Sequence, residues 1–172
     1  MVTERLTSKR LTEEQIEDMR ARFPYQMPVE WVGKIASREG WREANTAYLT
    51  AERKRSAAAM QHLMSELGVD HPRSRAEALD LIEIAFEVFA CSDDFEGTIT
   101  RDGDKLYIEV RTCPVFEAME ASGWHSVTAC PSSHRRRGWF DAMGVTGTDT
   151  LLGEQKWGDL ACATELEIQR VA

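Results

Sequence analysis

The stretch that decides the fold is Phe95 to Pro114, FEGTITRDGDKLYIEVRTCP. Asp102-Gly103-Asp104 sits between two runs of alternating apolar and polar residues, which is the signature of a β-hairpin. In the second run Leu106, Ile108 and Val110 share one face, and Tyr107, Glu109 and Arg111 share the other. Side chains alternate along a strand with period two, so the spacing predicts strands over 95–101 and 105–112. The second run stops at Cys113-Pro114. Proline is favoured at the first position of a helix, so a short helix is predicted from Pro114 to Ser122, closed by Gly123.

Upstream of the hairpin the pattern is helical. Ser74 and Glu77 form a capping-box pair that opens a helix. Leu79, Ile82, Phe86 and Phe89 share one face of it, and Ala78, Leu81, Ala85 and Val88 fill the next. So wide an apolar stripe predicts a central, heavily packed helix. Three earlier helices are predicted: one from Thr12, paired with Gln15, to before Pro24; one over 28–38; and one over 42–67. In the last, Met60, Leu63, Met64 and Leu67 follow i, i+3, i+4, i+7 spacing and Gly68 lies just beyond the end, where a left-handed residue is wanted.

Downstream, 124–129 reads as strand-like and 131–143 as a short helix closed by Gly144. A last hairpin pairs 148–154 with 160–168 across Trp157-Gly158-Asp159. Cys162, Thr164, Leu166 and Ile168 fall on one face of its second strand. The predicted fold is therefore α+β: N-terminal helices packed on an antiparallel sheet of about four to five strands, with two short helices inserted between the hairpins. Residues 1–172 read as a single domain, with a helical part (1–90) and a strand-rich part (91–172). No Gly/Ser/Pro-rich linker separates the two.

The 172 residues include 42% apolar and 29% charged ones, ordinary globular usage that needs no disulfide or metal to fold. With 21 basic and 29 acidic residues the net charge is −8. That argues against nucleic acid as the main partner, since phosphate contacts need a basic footprint. The start, Met1-Val2-Thr3-Glu4-Arg5-Leu6, lacks the apolar run of a signal peptide. The most apolar stretch, 79–91, is too short and too charged to span a bilayer. A cytoplasmic protein with no membrane partner is expected. Residues 1–90 carry 13 basic and 15 acidic side chains, and residues 91–172 carry 8 and 14. Most of the negative charge thus lies in the strand-rich part, where Arg135-Arg136-Arg137 is an exception.

Chemistry is concentrated in that same part. Cys113-Pro114 and Cys130-Pro131 each place a cysteine just before a proline that opens a helix. The positive end of the helix favours thiolate, which is both the nucleophile and the metal ligand. Cys162 lies on the apolar face of the last strand, where its neighbours alone suggest simple burial. Cys91 ends the central helix and reads as structural. His134, four residues past Cys130, is placed to act as a general base. Arg135 and Arg136 are candidates for holding a ligand carboxylate, because a guanidinium binds one with two parallel hydrogen bonds. Trp157 is a candidate for the pocket wall. No phosphate-binding glycine loop, zinc-protease helix or serine-hydrolase elbow occurs.

Several of these segments together resemble a known family. Arg111-Thr112-Cys113-Pro114, Glu117-Ala118, Gly123, Cys130 and Trp139-Phe140-Asp141-Ala142-Met143 carry the resemblance. So does Trp157-Gly158-Asp159-Leu160-Ala161-Cys162-Ala163-Thr164-Glu165. The pattern is similar to the L-2-amino-thiazoline-4-carboxylic acid hydrolase family and a related bacterial domain family. It covers residues 75–170, and the helices before them only in layout. Ser133 stands where members tend to have an acidic residue. The resemblance implies hydrolysis of a cyclic amidine, with Cys113, Cys130 and Cys162 at the family's cysteine positions.

The leading expectation is a cysteine-dependent hydrolase acting on a C–N bond of a cyclic amidine or amide-like, carboxylate-bearing small molecule. Cys113, Cys130, Cys162 and His134 would be catalytic, Arg135, Arg136 and Trp157 would bind substrate, and no cofactor would be needed. One alternative is a metal or haem protein in which Cys113, Cys130, Cys162 and His125 hold zinc, an iron–sulfur cluster or haem iron. Another is a binding module without catalysis. Homo-oligomer formation stays open.

Overall fold

The structure, a computed structural model, describes residues 11–90 and 95–171. Cys91 lies outside them. Six helices and four strands follow in order: α1 (Glu13–Arg22), α2 (Val29–Glu39), α3 (Trp41–Glu66), α4 (Arg75–Phe89), β1 (Glu96–Asp102), β2 (Lys105–Thr112), α5 (Pro114–Ala121), α6 (Ser132–Met143), β3 (Val145–Gly153) and β4 (Cys162–Val171). The fold is α+β, with helices on one face of an antiparallel sheet.

The local signals act as the sequence predicts. Gln15 N donates to Thr12 Oγ1 at 3.2 Å and Thr12 N donates to Gln15 Oε1 at 2.8 Å, a complete capping box. The box at α4 is half formed. Glu77 N donates to Ser74 Oγ at 3.1 Å, but the Glu77 carboxylate accepts from Arg73 N instead of Ser74 N. In the hairpin Asp102 pairs with Lys105, and Gly103 takes the turn at φ +59°, where an L side chain would be strained.

The strand order is β1-β2-β4-β3. β4 is therefore central, with Leu106 opposite Leu166, Ile108 opposite Thr164 and Val110 opposite Cys162. Leu106, Ile108, Leu166 and Ile168 face inward and pack in one cluster with Leu79, Ile82 and Phe86 of α4 and with Trp139 and Phe140 of α6. A second cluster joins Val32, Tyr48, Cys113, Val115 and Met119. Tyr25 and Val110 touch both clusters.

Helices α3 and α6 approach closely at Gly138, where a Cβ would lie 2.3 Å from the Arg53 carbonyl oxygen and 3.0 Å from Ala57 N. Arg53 reinforces the contact by donating to both oxygens of Asp141, at 2.6 and 2.8 Å.

Three local expectations are corrected. Residues 124–129 are a turn, not a strand, because Val127 N and Thr128 N both donate to Trp124 O, at 3.0 and 2.8 Å. Helix α6 begins at Ser132 with Pro131 as its N-cap, so Cys130 stands one residue outside the cap. The last connection is longer than a tight turn: residues Gln155–Trp157 form a short 3₁₀ helix and β4 starts only at Cys162. No helix among the described residues is long and apolar enough to cross a membrane.

Candidate functional site

A cavity of about 120 Å³ lies where the two core clusters meet. One wall is apolar, built by Ile108 and Val110 of β2 and by Val115, Phe116 and Met119 of α5. The facing wall carries Ser132, Ser133 and Arg136 of α6, with Asp149 and Leu151 of β3. Glu154 and Lys156 stand in the connection between β3 and β4. Cys113, Cys130 and Cys162 all line this space, and all three are free thiols.

The three thiols have different surroundings. Cys113 is the N-cap of α5 and is 8% exposed. Burial pushes its pKa above the usual thiol value, although the Phe116 and Val115 amides pull the other way. The helix end contributes typically 0.3–1 kcal/mol, and desolvation of the charged form outweighs it. Cys162 is half-buried, and burial pushes it up to about 11, against the pull of the Gln155 amide. Gln155 N approaches its Sγ at 3.5 Å, and Sγ in turn faces Gln155 Oε1 at 3.8 Å. Burial thus disfavours the thiolate at both, which for Cys113 runs contrary to the expectation drawn from its helix end and for Cys162 agrees with its place on an apolar strand face. Cys130 is half-buried and donates to Ser132 Oγ at 3.3 Å.

Of the other sequence candidates only Arg136 reaches the cavity. Its fork is already filled: Nε and Nη2 donate to the two oxygens of Asp149, at 3.0 and 2.9 Å, and Nη2 also reaches Thr164 Oγ1. Arg135 does not line this cavity. It is buried, pairs with Glu52 of α3, and stacks 4.0 Å above the Tyr25 ring. His134 does not line the cavity; burial, then Arg137 and Arg53, hold its pKa below the usual value. His125 is exposed on the turn after α5. Among the described residues no three His, Cys, Asp or Glu side chains are grouped to hold a metal ion. The alternative set Cys113, Cys130, Cys162 and His125 is thus not assembled. Trp157 is 74% exposed and stands outside the wall, beside Lys156.

Three residues that the sequence did not single out position the site. Asn45 of α3 clamps the turn before Cys130, donating to Val127 O at 2.8 Å and accepting from Ala129 N at 2.9 Å. Lys156 Nζ holds the same turn through Thr128 O at 2.8 Å. Gln155 ties Cys162 to the end of β2, its Nε2 donating to Arg111 O at 2.6 Å. Asparagine and glutamine side chains carry both donors and acceptors, so each can hold a loop as a neighbouring strand would. No local pattern marks such a role.

No family model matches the chain, and no curated protein matches it. Among solved structures, subunit 3 of a trafficking protein particle complex from Naegleria fowleri, covalently bound to palmitic acid, is similar. It shares 14% identity and a TM-score of 0.55, over 91% of this chain and 97% of that one. An H-NOX domain from Shewanella oneidensis, solved in its Fe(II)CO ligation state, aligns at 10% identity and a TM-score of 0.45, over 98% and 88%. The first likeness shows a shared fold.

Proposed function

We propose that the protein is a small-molecule binding module whose ligand lies in the three-thiol cavity, with Cys130 as the thiol that reacts. The observation that carries this reading is the convergence of Cys113, Cys130 and Cys162 on one mostly apolar space. Ligand sites are concave, largely apolar and furnished with a few placed polar groups. Here those groups are Ser132, Ser133, Glu154 and Lys156. An apolar or acyl molecule suits such walls, and the Naegleria fowleri subunit of similar fold carries palmitic acid. Cys130 is singled out because burial suppresses the other two thiols. The test is alkylation of Cys130 by iodoacetamide with and without short alcohols or acids. Protection by the small molecules supports the reading, and an unchanged rate refutes it.

The hydrolase expected from the family resemblance is the finer form of the same proposal, favoured by the placement of Cys130 beside Ser132. Cys130 would add to the carbon of the C–N bond while its proton passes to the leaving nitrogen, and water would then release the product and restore the thiol. Loss of L-2-amino-thiazoline-4-carboxylate over time, abolished by Cys130→Ser, is the expected result. Equal turnover by the Cys130→Ser variant would exclude it.

A further inference from the structure

Beside the cysteine cavity lies a smaller chamber of about 40 Å³, lined by Tyr25, Phe86, Ile108, Ser132, Arg135 and Trp139. The two spaces share Tyr25, Ile108, Val110, Ser132 and Arg136 as walls. Mostly apolar surroundings make the Arg135 guanidinium the notable group in the second chamber. It is 5% exposed. Its Nε is bound by Glu52 and its Nη2 reaches Gln26 O at 3.4 Å. Its Nη1 is buried and has no hydrogen-bond partner among the described residues.

The local charge is also unbalanced. Glu52 serves two guanidiniums, since Arg55 Nη2 donates to it at 2.7 Å. Arg55, Glu52 and Arg135 therefore carry one net positive charge in a largely buried place, and a buried donor without a partner is destabilising. Both features call for an acceptor with negative charge. Tyr25 strengthens the site from one side, its ring stacked on the guanidinium. Burial pushes the Tyr25 phenol up to about 12, so it stays neutral and does not compete for the role of anion. Asp149 cannot fill it, being held by Arg136.

We propose that Arg135 is an internal receptor for the carboxylate of the cavity's ligand, which is then a small apolar acid lying head-inward with its hydrocarbon part against the thiols. The inference rests on the reading that the cavity holds a small molecule. The second chamber is the right size for such a headgroup, because a single water needs roughly 10–15 Å³ measured the same way. Arg135, not Arg136, is the anchor because Nη1 is the donor left to satisfy.

Hexanoate and hexan-1-ol, added separately to the full chain, test it. Both share the hydrocarbon tail, and only one has a carboxylate. Calorimetry reads affinity, and the iodoacetamide rate at Cys130 reads occupancy of the outer cavity. Hexanoate is expected to bind at least about tenfold tighter than hexan-1-ol, as a charge-assisted bond to a buried donor implies. The preference should vanish in the double variant Arg135→Met, Glu52→Gln, which removes both charges and leaves neither buried alone. It should persist in Arg137→Gln, on the exposed side of α6. Equal binding of the two probes in the unaltered protein overturns the receptor. If hexan-1-ol still protects Cys130, the cavity reading stands without it. If neither probe protects Cys130, both readings fail. Loss of the preference in Arg137→Gln also overturns it, since general surface charge would then be the cause.

Discussion

Helices α5 and α6 each follow a Cys-Pro step, and each builds one wall of the cavity. α5 is held by packing: Val115 and Met119 sit in the second core cluster, and Cys113 is buried with them. α6 packs Trp139, Phe140 and Met143 into the main core, but on its other sides it is held by ions and by backbone contact. Arg135 reaches α3, Arg136 reaches β3, and Gly138 lets the helix press on the α3 backbone. The same dipeptide thus leads into an apolar wall and a polar one. What decides the environment of each thiol is the face to which its helix is pinned, not the helix end that the two share.

The contrast can be broken most sharply at the ion pairs. Glu52→Ala leaves the buried Arg135 charge uncompensated, and the unfolding free energy should fall by about 3–5 kcal/mol. Glu117→Ala on α5, an exposed position, should stay within about 0.5 kcal/mol. Equal losses in urea melts would show that α6 is not held by its charges. Next in size is Gly138→Ala, whose methyl group would collide with the Arg53 carbonyl. It should cost about 3 kcal/mol, as overpacking against rigid backbone does. Ala118→Gly in α5 should cost only about 1 kcal/mol, the helix-propensity difference.

The thiols sharpen the comparison further. At pH 8, Cys130 should react with iodoacetamide at least about tenfold faster than Cys113, because Cys113 is buried and burial raises its pKa, while Cys130 is half-buried. Peptide mass spectrometry over a time course reads both sites, and labelling of Cys113 first would reverse the assignment. The last effect is in alkaline stability. The Cys162 pKa is raised from 9.0 to about 11 in the folded protein. The unfolded chain therefore loses that proton first, and the folded state binds more protons between those values. Stability should fall as pH rises from about 9 to about 11, and more steeply than in Cys162→Ala. Parallel slopes for the two proteins would remove Cys162 as the cause.

The elements that were legible in the sequence are those whose signals are local. Asp102-Gly103-Asp104 turns the chain by itself, and the stripes of α4 declare a helix buried on more than one side. Residues 124–129 misled because Trp124, Ser126 and Thr128 alternate with other residues as a strand would. The fold instead satisfies that backbone with Asn45, from a helix far upstream. The arginine run was legible only as charge. Its sorting depends on Glu52, 83 residues from Arg135, and on Asp149, 13 residues from Arg136. The environment of Cys113 was misjudged for a related reason. A helix end can be read from Cys-Pro, but the burial that outweighs it is a property of the assembled walls.

The central place of β4 governs when the site can exist. β1 and β2 pair as soon as both are made, while β3 must wait for a partner that follows it in the chain. β4 then enters between strands already present, and its pairing with β2 joins residues nearly sixty positions apart, such as Ile108 and Thr164. Pairings of such long range close late and slowly. Cys162 stands at the leading end of β4, so the third thiol arrives with the final step of sheet assembly. During synthesis and refolding, Cys113 and Cys130 pass through a period before Cys162 and Thr164 of β4 complete the cavity lining. An oxidant or acylating agent present at that stage meets the Cys113 sulfur, which the finished fold buries.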